Sequence, residues 1–265
     1  MLRVGALPDD VEADYVRVGQ LERAAVLERL PEGWDMAGSR LLDFGCGAGQ
    51  ALRHFGPEIA RSAELWGCDI DGPSIEWARQ HLPGVTVLQN GEAPPLDAPD
   101  GHFDLVYAIS VFTHITDHWA DWLIELRRVL RPEGLLIATV LGPTMYEALL
   151  GEPYDEDAVG MTTVGIGKPW DEGGPMVFHS PWWIERHWSP AFEILSHERS
   201  ALGRDGDAKG HDVVVARRSA STPDRAAMLR PCDDEPREAA AALANVRLLG
   251  AELERLRREP PAGRL

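Results

Sequence analysis

The stretch Leu41–Gln50, with the sequence LLDFGCGAGQ, constrains this chain more than any other segment. The apolar residues before Gly45 are typical of the end of a strand buried inside a parallel sheet. Three alternating glycines then allow a tight turn in which the backbone itself approaches a ligand. A helix near residues 49–55 would direct its first N–H groups at this turn. The stretch therefore predicts a nucleotide-like ligand at the end of the strand.

The spacing of the glycines distinguishes between classes of nucleotide. In a dinucleotide fingerprint Gly-x-Gly-x-x-Gly starting at Gly45, the third glycine would fall at position 50, which is Gln50. The third glycine is instead Gly49, and a nicotinamide-dependent oxidoreductase is disfavoured for this reason. The pattern Asp-x-Gly-x-Gly-x-Gly, which begins at Asp43, resembles the first motif of the class I S-adenosylmethionine-dependent methyltransferases. A purely structural glycine turn is the alternative.

Three further segments follow in the order expected from this resemblance. A second predicted strand ends at Asp69, 20 residues after Gly49, where a carboxylate can accept hydrogen bonds from both ribose hydroxyls. The segment that begins at Phe103–Asp104 resembles the family's strand beneath the methionine part of the cofactor. The segment Arg131–Gly134 resembles the turn before the family's fifth strand, so the resemblance covers roughly residues 41–140. It implies a Rossmann-like α/β fold with a seven-stranded, mostly parallel sheet, helices on both faces and a seventh strand antiparallel between the fifth and sixth.

The resemblance also implies the cofactor, S-adenosylmethionine, with S-adenosylhomocysteine as its product. The residues that would bind it are Asp43, Gly45, Cys46, Gly47, Gly49, Asp69, Ile70, Glu92, Ala93 and Ser110. Glu92 stands where the family more often has an aspartate that accepts from the adenine amino group, and the backbone N–H of Ala93 would contact the ring. A solvated loop acid is the alternative for Glu92. Helix capping is the alternative for Asp69, although Asp71 is better placed for capping.

Histidines are the candidates for a general base, because the ordinary pKa of histidine lies near neutral pH. His179 is the first choice, since it precedes a helix start at Ser180–Pro181 beside Trp182 and Trp183, either of which would form a substrate wall. His114 is the second choice, and His211 is a further candidate.

The expected chemistry follows from the activated methyl group, which requires no metal, and no metal site is predicted. A hydroxyl acceptor benefits from a base, so we expect transfer to oxygen on a small molecule or a sugar. The identity of the acceptor is not encoded in any motif, and methylation at nitrogen or carbon stays open.

The predicted domain spans residues 1–217, with one or two helices between residues 9 and 30 that cover the sheet or the cofactor site. Within it, residues 142–178 are rich in Gly, Pro and acidic residues, and a segment of this length predicts a substrate lid. The apolar contacts of the lid would come from Tyr146, Met161 and Trp170.

The C-terminal part is predicted to be a linker, residues 218–236, followed by an amphipathic coiled-coil helix, residues 237–259. This helix carries a heptad stripe at positions a and d, formed by Ala239, Ala242, Val246, Leu249, Leu253 and Leu256. It would pair with a second copy in a homodimer, bind a partner protein, or dock on its own domain. A non-catalytic methyltransferase-like protein that acts through this helix is the competing functional class.

The composition and the charge of the chain argue against several other classes of protein. The net charge of −17 disfavours a surface that binds nucleic acid phosphates. No apolar run approaches the roughly 20 residues of a membrane span, and the N-terminus lacks the apolar core of a signal peptide. The three cysteines lack metal-ligand spacing and are interpreted as reduced thiols of a cytoplasmic protein.

Overall fold

A computed structural model describes residues 10–168, 174–203 and 210–258. Its centre is a seven-stranded sheet in the spatial order β3-β2-β1-β4-β5-β9-β8, and two further strands, β6 and β7, form a separate hairpin. In chain order, the strands are β1 (Arg40–Phe44), β2 (Glu64–Asp69), β3 (Val85–Gln89), β4 (Phe103–Ala108), β5 (Leu130–Val140), β6 (Met161–Val164), β7 (Met176–His179), β8 (Phe192–Leu202) and β9 (His211–Arg218). Strands β1 to β5 pair in parallel, and β9 runs antiparallel between β5 and β8. The predicted fold class is confirmed.

Helices cover both faces of this sheet. They are α1 (Val11–Leu27), α2 (Gly56–Ile59), α3 (Gly72–His81), α4 (Trp119–Val129), α5 (Pro143–Leu150), α6 (Pro181–Trp188), α7 (Arg225–Leu229) and α8 (Arg237–Arg258). Alternate residues of a strand point to opposite faces, and so Leu42 of β1 packs under α4 and α6 whereas Leu41 packs under α1 and α3. Within the described ranges, no helix combines the length and the apolar character needed to cross a bilayer.

The prediction of a helix near residues 49–55 is wrong. Residues after the glycine turn form a single 3-10 turn, Leu52–His54, and α2 follows it directly. The glycine turn extends to Gly49, whose φ of +74° is left-handed, and the next helix begins at Gly56. The six residues between these two glycines therefore contain only the 3-10 turn.

The predicted lid segment is not a structureless loop. It contains α5, which starts with a proline in its first turn and ends at Gly151 in a left-handed conformation, and then the hairpin of β6 and β7. Tyr146 lies against the rings of Tyr154 and Phe178 in a small separate cluster. Met161 is part of the hairpin, and Trp170 lies outside the described residues. Tyr146 and Met161 therefore pack against other apolar side chains and do not line the large cleft of the molecule.

The segment predicted as a linker folds partly onto the domain. It contains α7, and its Met228 is fully buried in the core on the α4 side of the sheet. The carbonyl of Met228 also lies 2.8 Å from Nδ1 of His187 on α6. Residues 225–229 are thus part of the packed structure.

Candidate functional site

The glycine turn lies at the C-terminal end of β1, where the strand order reverses between β1 and β4. The N–H groups of Gly45 and Cys46 both donate to the carbonyl of Cys68, at 2.8 and 3.0 Å. A Cβ atom added to Gly45 would lie 2.2 Å from Val111, and one added to Gly49 would lie 2.3 Å from Leu82. These two glycines are therefore required by close packing of the turn.

Gly47 has a different role from the other two glycines. Its φ is +52°, and a Cβ atom added to it would meet nothing within 4 Å. Gly47 lines the cleft in front of the turn, so its backbone is open to a ligand. Its N–H donates to Oδ2 of Asp69 at 2.7 Å.

Asp69 joins the glycine turn to the start of α3. Its Oδ1 accepts a hydrogen bond from the N–H of Asp71 at 2.9 Å, in addition to the bond from Gly47. Each carboxylate oxygen has a second lone pair, and Asp69 lines the cleft. Asp71 occupies the N-cap position of α3, where its carboxylate accepts from the hydroxyl of Ser74 at 2.5 Å. The ribose position predicted for Asp69 is therefore compatible with the geometry, and Asp71 is the residue at the cap.

Two buried carboxylates lie behind the glycine turn. Asp43 at the end of β1 is 4% exposed, and Glu22 of α1 is 6% exposed. Burial raises the pKa of Asp43 well above its usual range, and the negative charge of Glu22 raises it further. Both side chains line the cleft, so a cationic ligand there would offset this cost, and S-adenosylmethionine carries such a positive charge.

Helix α1 supplies cleft residues that the sequence analysis did not name. Asp14 and Tyr15 line the cleft together with Glu22. The Nε2 of Gln50, which directly follows the glycine turn, donates to the carbonyl of Tyr15 at 3.1 Å. The helical period predicted that this helix covers the structure, but it did not show which of its polar residues meet the cleft.

The cofactor residues predicted from the sequence fall into two groups. Those that line the cleft, which has a volume of about 770 Å³, are Asp43, Gly45, Cys46, Gly47, Asp69, Ile70, Glu92 and Ser110. Gly49 and Ala93 are not among the lining residues, because Gly49 packs against Leu82 inside the turn. The carbonyl of Glu92 accepts from the indole N–H of Trp122 at 2.8 Å, which positions this loop.

Ser110 follows closely on the fourth strand. The strand β4 stops at Ala108, and Ser110 two residues later adopts a left-handed φ of +58°. The N–H of Ser110 donates to the hydroxyl of Thr139 at 2.7 Å, and its own hydroxyl lies 3.3 Å from Nδ1 of His211. His211 is thereby next to the cleft without being one of its lining residues.

His114 lies in the part of the cleft beyond the glycine turn. Its Nδ1 is 2.8 Å from the carbonyl of Pro175, which can only accept, and Nδ1 therefore carries the proton. Burial lowers the pKa of His114 below its ordinary value, so the ring is neutral near pH 7 and Nε2 is unprotonated. Pro175 and Lys168 bring the lid segment to the cleft. His114 therefore has the protonation state that a general base needs.

His179 is not at the cleft. Its side chain is 1% exposed, and within the described part of the chain neither ring nitrogen has a hydrogen-bond partner. Burial among the rings of Trp183 and Trp188 lowers the pKa of His179 to about 3. Trp182 and Trp183 are themselves in the core and line no part of the cleft. The predicted order of the two bases is therefore reversed, since the geometry brings His114 and not His179 to the cofactor residues.

One cluster of potential metal ligands occurs among the described side chains, away from the cleft. His187, Cys232 and Glu238 place one ligand atom each within 4.8 Å of one another. The ring of His187 already lies 2.8 Å from the carbonyl of Met228 and 2.8 Å from Oε1 of Glu238. These hydrogen bonds account for the cluster as an attachment of α8 to α6.

Comparison with known proteins supports the interpretation of the cleft. Residues 42–138 match the family model described as a methyltransferase domain. Similar curated proteins include a sterol 24-C-methyltransferase of Gibberella zeae (28% identity, 64% of this chain, 44% of the relative). They also include a malonyl-[acyl-carrier protein] O-methyltransferase of Legionella pneumophila (32% identity, 51% of this chain, 49% of the relative). The chain thus spans less than half the length of these relatives.

Solved structures share the fold. A methyltransferase dependent on S-adenosylmethionine from Mesorhizobium loti superposes with a TM-score of 0.54 and 21% identity, covering 75% of this chain and 98% of its own. A second such protein from Listeria monocytogenes gives a TM-score of 0.55 and 18% identity, covering 76% and 99%. Residues 42–138 are thus similar to a methyltransferase domain, and the chain shares its fold with solved methyltransferases that depend on S-adenosylmethionine.

Proposed function

We propose that this protein transfers a methyl group from S-adenosylmethionine to an oxygen atom of a small-molecule or sugar acceptor. The observation that carries the proposal is the position of His114, a neutral histidine with a fixed tautomer, in the same cleft as the glycine turn and Asp69. The cofactor supplies a methyl group that is already activated by its positively charged sulfur. The protein then has to position the acceptor and remove its proton.

The cofactor end of the cleft would be formed by four acidic side chains and the glycine turn. In this proposal, Asp69 accepts hydrogen bonds from the ribose hydroxyls, and Glu92 accepts a hydrogen bond from the adenine amino group. Asp43 and Glu22 face the cationic methionine portion, where their buried negative charges are compensated. Gly47 supplies a backbone surface without a side chain, which allows the close approach of the cofactor.

The acceptor end would be organised by His114. Its Nδ1–H donates to the carbonyl of Pro175, and Nε2 would take the proton of an acceptor hydroxyl. The oxygen would form its bond to the methyl carbon as the methyl–sulfur bond breaks, and S-adenosylhomocysteine would be the leaving group. A hydroxyl is a weak nucleophile and gains from such a base, whereas a neutral amine does not require one. The similar proteins act, by their names, on both carbon and oxygen. The available base is the reason for choosing oxygen.

The test has a binding arm and a catalytic arm. Calorimetry should detect binding of S-adenosylmethionine and S-adenosylhomocysteine but not of NAD, and a failure to bind the first two would refute the cofactor assignment. Radiolabelled S-adenosylmethionine then reports transfer to panels of hydroxylated small molecules and sugars. Tight binding of S-adenosylhomocysteine with no transfer to any acceptor would favour the non-catalytic alternative.

The base assignment is tested by His114→Gln, which keeps a polar side chain but cannot accept the proton. We expect a rate loss of about 100-fold or more with unchanged affinity for S-adenosylhomocysteine. His118→Ala is the matched control, because His118 also lines the cleft but interacts with Asp121 at 3.3 Å. A full rate in His114→Gln would eliminate His114 as the base.

A further inference from the structure

Arg53 follows the glycine turn closely and lies inside the 3-10 turn Leu52–His54. Its Nε donates to the carbonyl of Gly49 at 3.2 Å, and its Nη2 donates to the carbonyl of Ala48 at 3.4 Å. Its backbone N–H also donates to the carbonyl of Gly49, at 3.2 Å. One residue therefore holds two consecutive carbonyls of the glycine turn.

The peptide unit between Ala48 and Gly49 is fixed at both of its ends. Its carbonyl accepts from Arg53, and its N–H donates to the carbonyl of Cys46 at 2.8 Å. Glycine has more backbone freedom to lose on folding than any other residue, and Gly47 and Gly49 are both left-handed here. Arg53 therefore restricts a stretch of backbone that has many other conformations open to it.

The guanidinium of Arg53 also contacts aromatic rings of two helices. Its Cζ lies 4.8 Å from the centroid of the Tyr15 ring on α1 and 5.2 Å from the centroid of the Trp77 ring on α3. A planar guanidinium can donate hydrogen bonds along its edge while its faces contact aromatic rings. The carbonyl of Tyr15 also accepts from Nε2 of Gln50, so α1 is tied to the end of the turn by two contacts. Arg53 thus joins α1, the glycine turn and α3.

These three elements supply much of the cleft around the glycine turn. Tyr15 and Glu22 of α1 line it, and so do Ser74 of α3 and residues 45–48 of the turn. Arg53 itself is not one of the lining residues. Any effect of Arg53 on a bound cofactor therefore passes through the positions of these other residues.

We propose that Arg53 is a positioning residue for the cofactor, which holds the glycine turn, α1 and α3 in the arrangement that binds S-adenosylmethionine. A site that is ordered before its ligand arrives loses less conformational entropy on binding, and it binds more tightly for that reason. The inference rests on the cofactor assignment of the proposed function. It is independent of the acceptor and of the base.

The affinity test uses Arg53→Met, which keeps a long side chain but removes the charge and every donor. Calorimetry with S-adenosylhomocysteine is performed at a temperature at which circular dichroism shows the variant to be folded, and we expect binding at least about tenfold weaker than in the wild type. Arg79→Met is the matched control, because Arg79 lies on α3 in an exposed ion pair with Glu76, and it should bind like the wild type. A variant Arg53→Met that is less stable but binds with unchanged affinity would show that Arg53 supports only the fold, and it would overturn the proposal.

Arg53→Lys is the second variant and tests the hydrogen-bonding fork. Lysine keeps the positive charge and a donor group, but it lacks the planar fork that reaches two carbonyls at once. We expect an affinity between those of the wild type and Arg53→Met. Wild-type affinity in Arg53→Lys would overturn the role of the two carbonyl contacts, and this result decides the proposal even if Arg53→Met does not fold.

Hydrogen exchange separates the inference from the cofactor assignment. In the protein without ligand, the N–H of Gly49 should exchange at least about tenfold faster in Arg53→Met than in the wild type, because its peptide unit is then fixed at one end only. Amides of β5 serve as the internal reference. A wild type that does not bind S-adenosylhomocysteine refutes the proposed function, whereas a wild type that binds while the exchange of Gly49 is unchanged in Arg53→Met refutes the inference alone.

Discussion

Gly19 lies in the middle of α1, where alanine would normally be the more favourable residue by about 1 kcal/mol. The reason for the glycine is the contact between α1 and the residue that follows the glycine turn. A Cβ atom added to Gly19 would lie 2.0 Å from the carbonyl oxygen of Gln50 and 2.9 Å from Cδ2 of His54. The carbonyl belongs to the backbone, so it cannot rotate away as a flexible side chain would.

The variant Gly19→Ala therefore forces α1 away from the turn. Ordinary contact begins at 3.4 Å, so the helix has to move by about 1.4 Å. Overpacking of this kind costs about 1–3 kcal/mol, and the better helix propensity of alanine offsets up to about 1 kcal/mol. We expect a net loss of up to about 2 kcal/mol in the free energy of unfolding. The same movement breaks the 3.1 Å hydrogen bond between Gln50 and the carbonyl of Tyr15.

The assays are urea unfolding followed by circular dichroism and calorimetry with S-adenosylhomocysteine. Because α1 brings Asp14, Tyr15 and Glu22 to the cleft, we expect at least about tenfold weaker binding, or 1.4 kcal/mol. Gly250→Ala is the matched control, since Gly250 is an exposed helical glycine with nothing within 4 Å of an added Cβ, and this variant should be stabilised by up to about 1 kcal/mol. If Gly19→Ala were as stable as Gly250→Ala and bound the ligand like the wild type, the argument from close contact would be refuted.

Three other predictions concern separate parts of the molecule. Asp69→Ala should weaken the binding of S-adenosylhomocysteine in calorimetry by at least about tenfold, because two N–H groups and the ribose lose their acceptor; unchanged affinity would remove Asp69 from the site. In the unfolded chain His179 gains a proton below about pH 6.5, whereas in the folded protein it gains one only near pH 3, so the free energy of unfolding falls by up to about 1.4 kcal/mol per pH unit between these values. The variant His179→Phe should flatten this pH dependence in urea titrations. An unchanged slope would contradict the argument. Met228→Ala should lower the free energy of unfolding by about 2–4 kcal/mol, because Met228 is fully buried. Leu229→Ala on the same helix should lower it by under about 1 kcal/mol, because Leu229 is 40% exposed. Equal losses would argue against the buried position of α7.

The order of motifs along the chain was sufficient to predict the sheet and to bring most of the proposed cofactor residues to one cleft. The carboxyl ends of parallel strands meet at one edge of a sheet, so the residues after β1, β2 and β4 come together whatever the details of packing. This is why Asp43, Asp69 and Ser110 all line the cleft. Gly49 illustrates a limit, since a motif does not distinguish a glycine that faces the ligand from one that packs within the turn.

The histidines could not be ranked from the sequence. His179 lies on a strand, where a shift of one residue moves a side chain to the other face, and its face is fixed by its pairing with Met161 across the hairpin. The tautomer of His114, the proposed base, is set by the carbonyl of Pro175, which is 61 residues away in the sequence. Such a contact depends on where a backbone carbonyl lies, and side-chain chemistry carries no signal for it.

The hairpin of β6 and β7 contributes backbone atoms to two neighbours that are far apart in the chain. The carbonyl of Met161 accepts a hydrogen bond from the side chain of Asn245 on α8. The carbonyl of Pro175, just before β7, accepts one from the ring of His114. Every residue type offers a carbonyl, so neither contact requires a particular side chain in the hairpin. The outward side chains of this segment can therefore be exchanged while His114 and the C-terminal helix keep their hydrogen bonds to the hairpin segment.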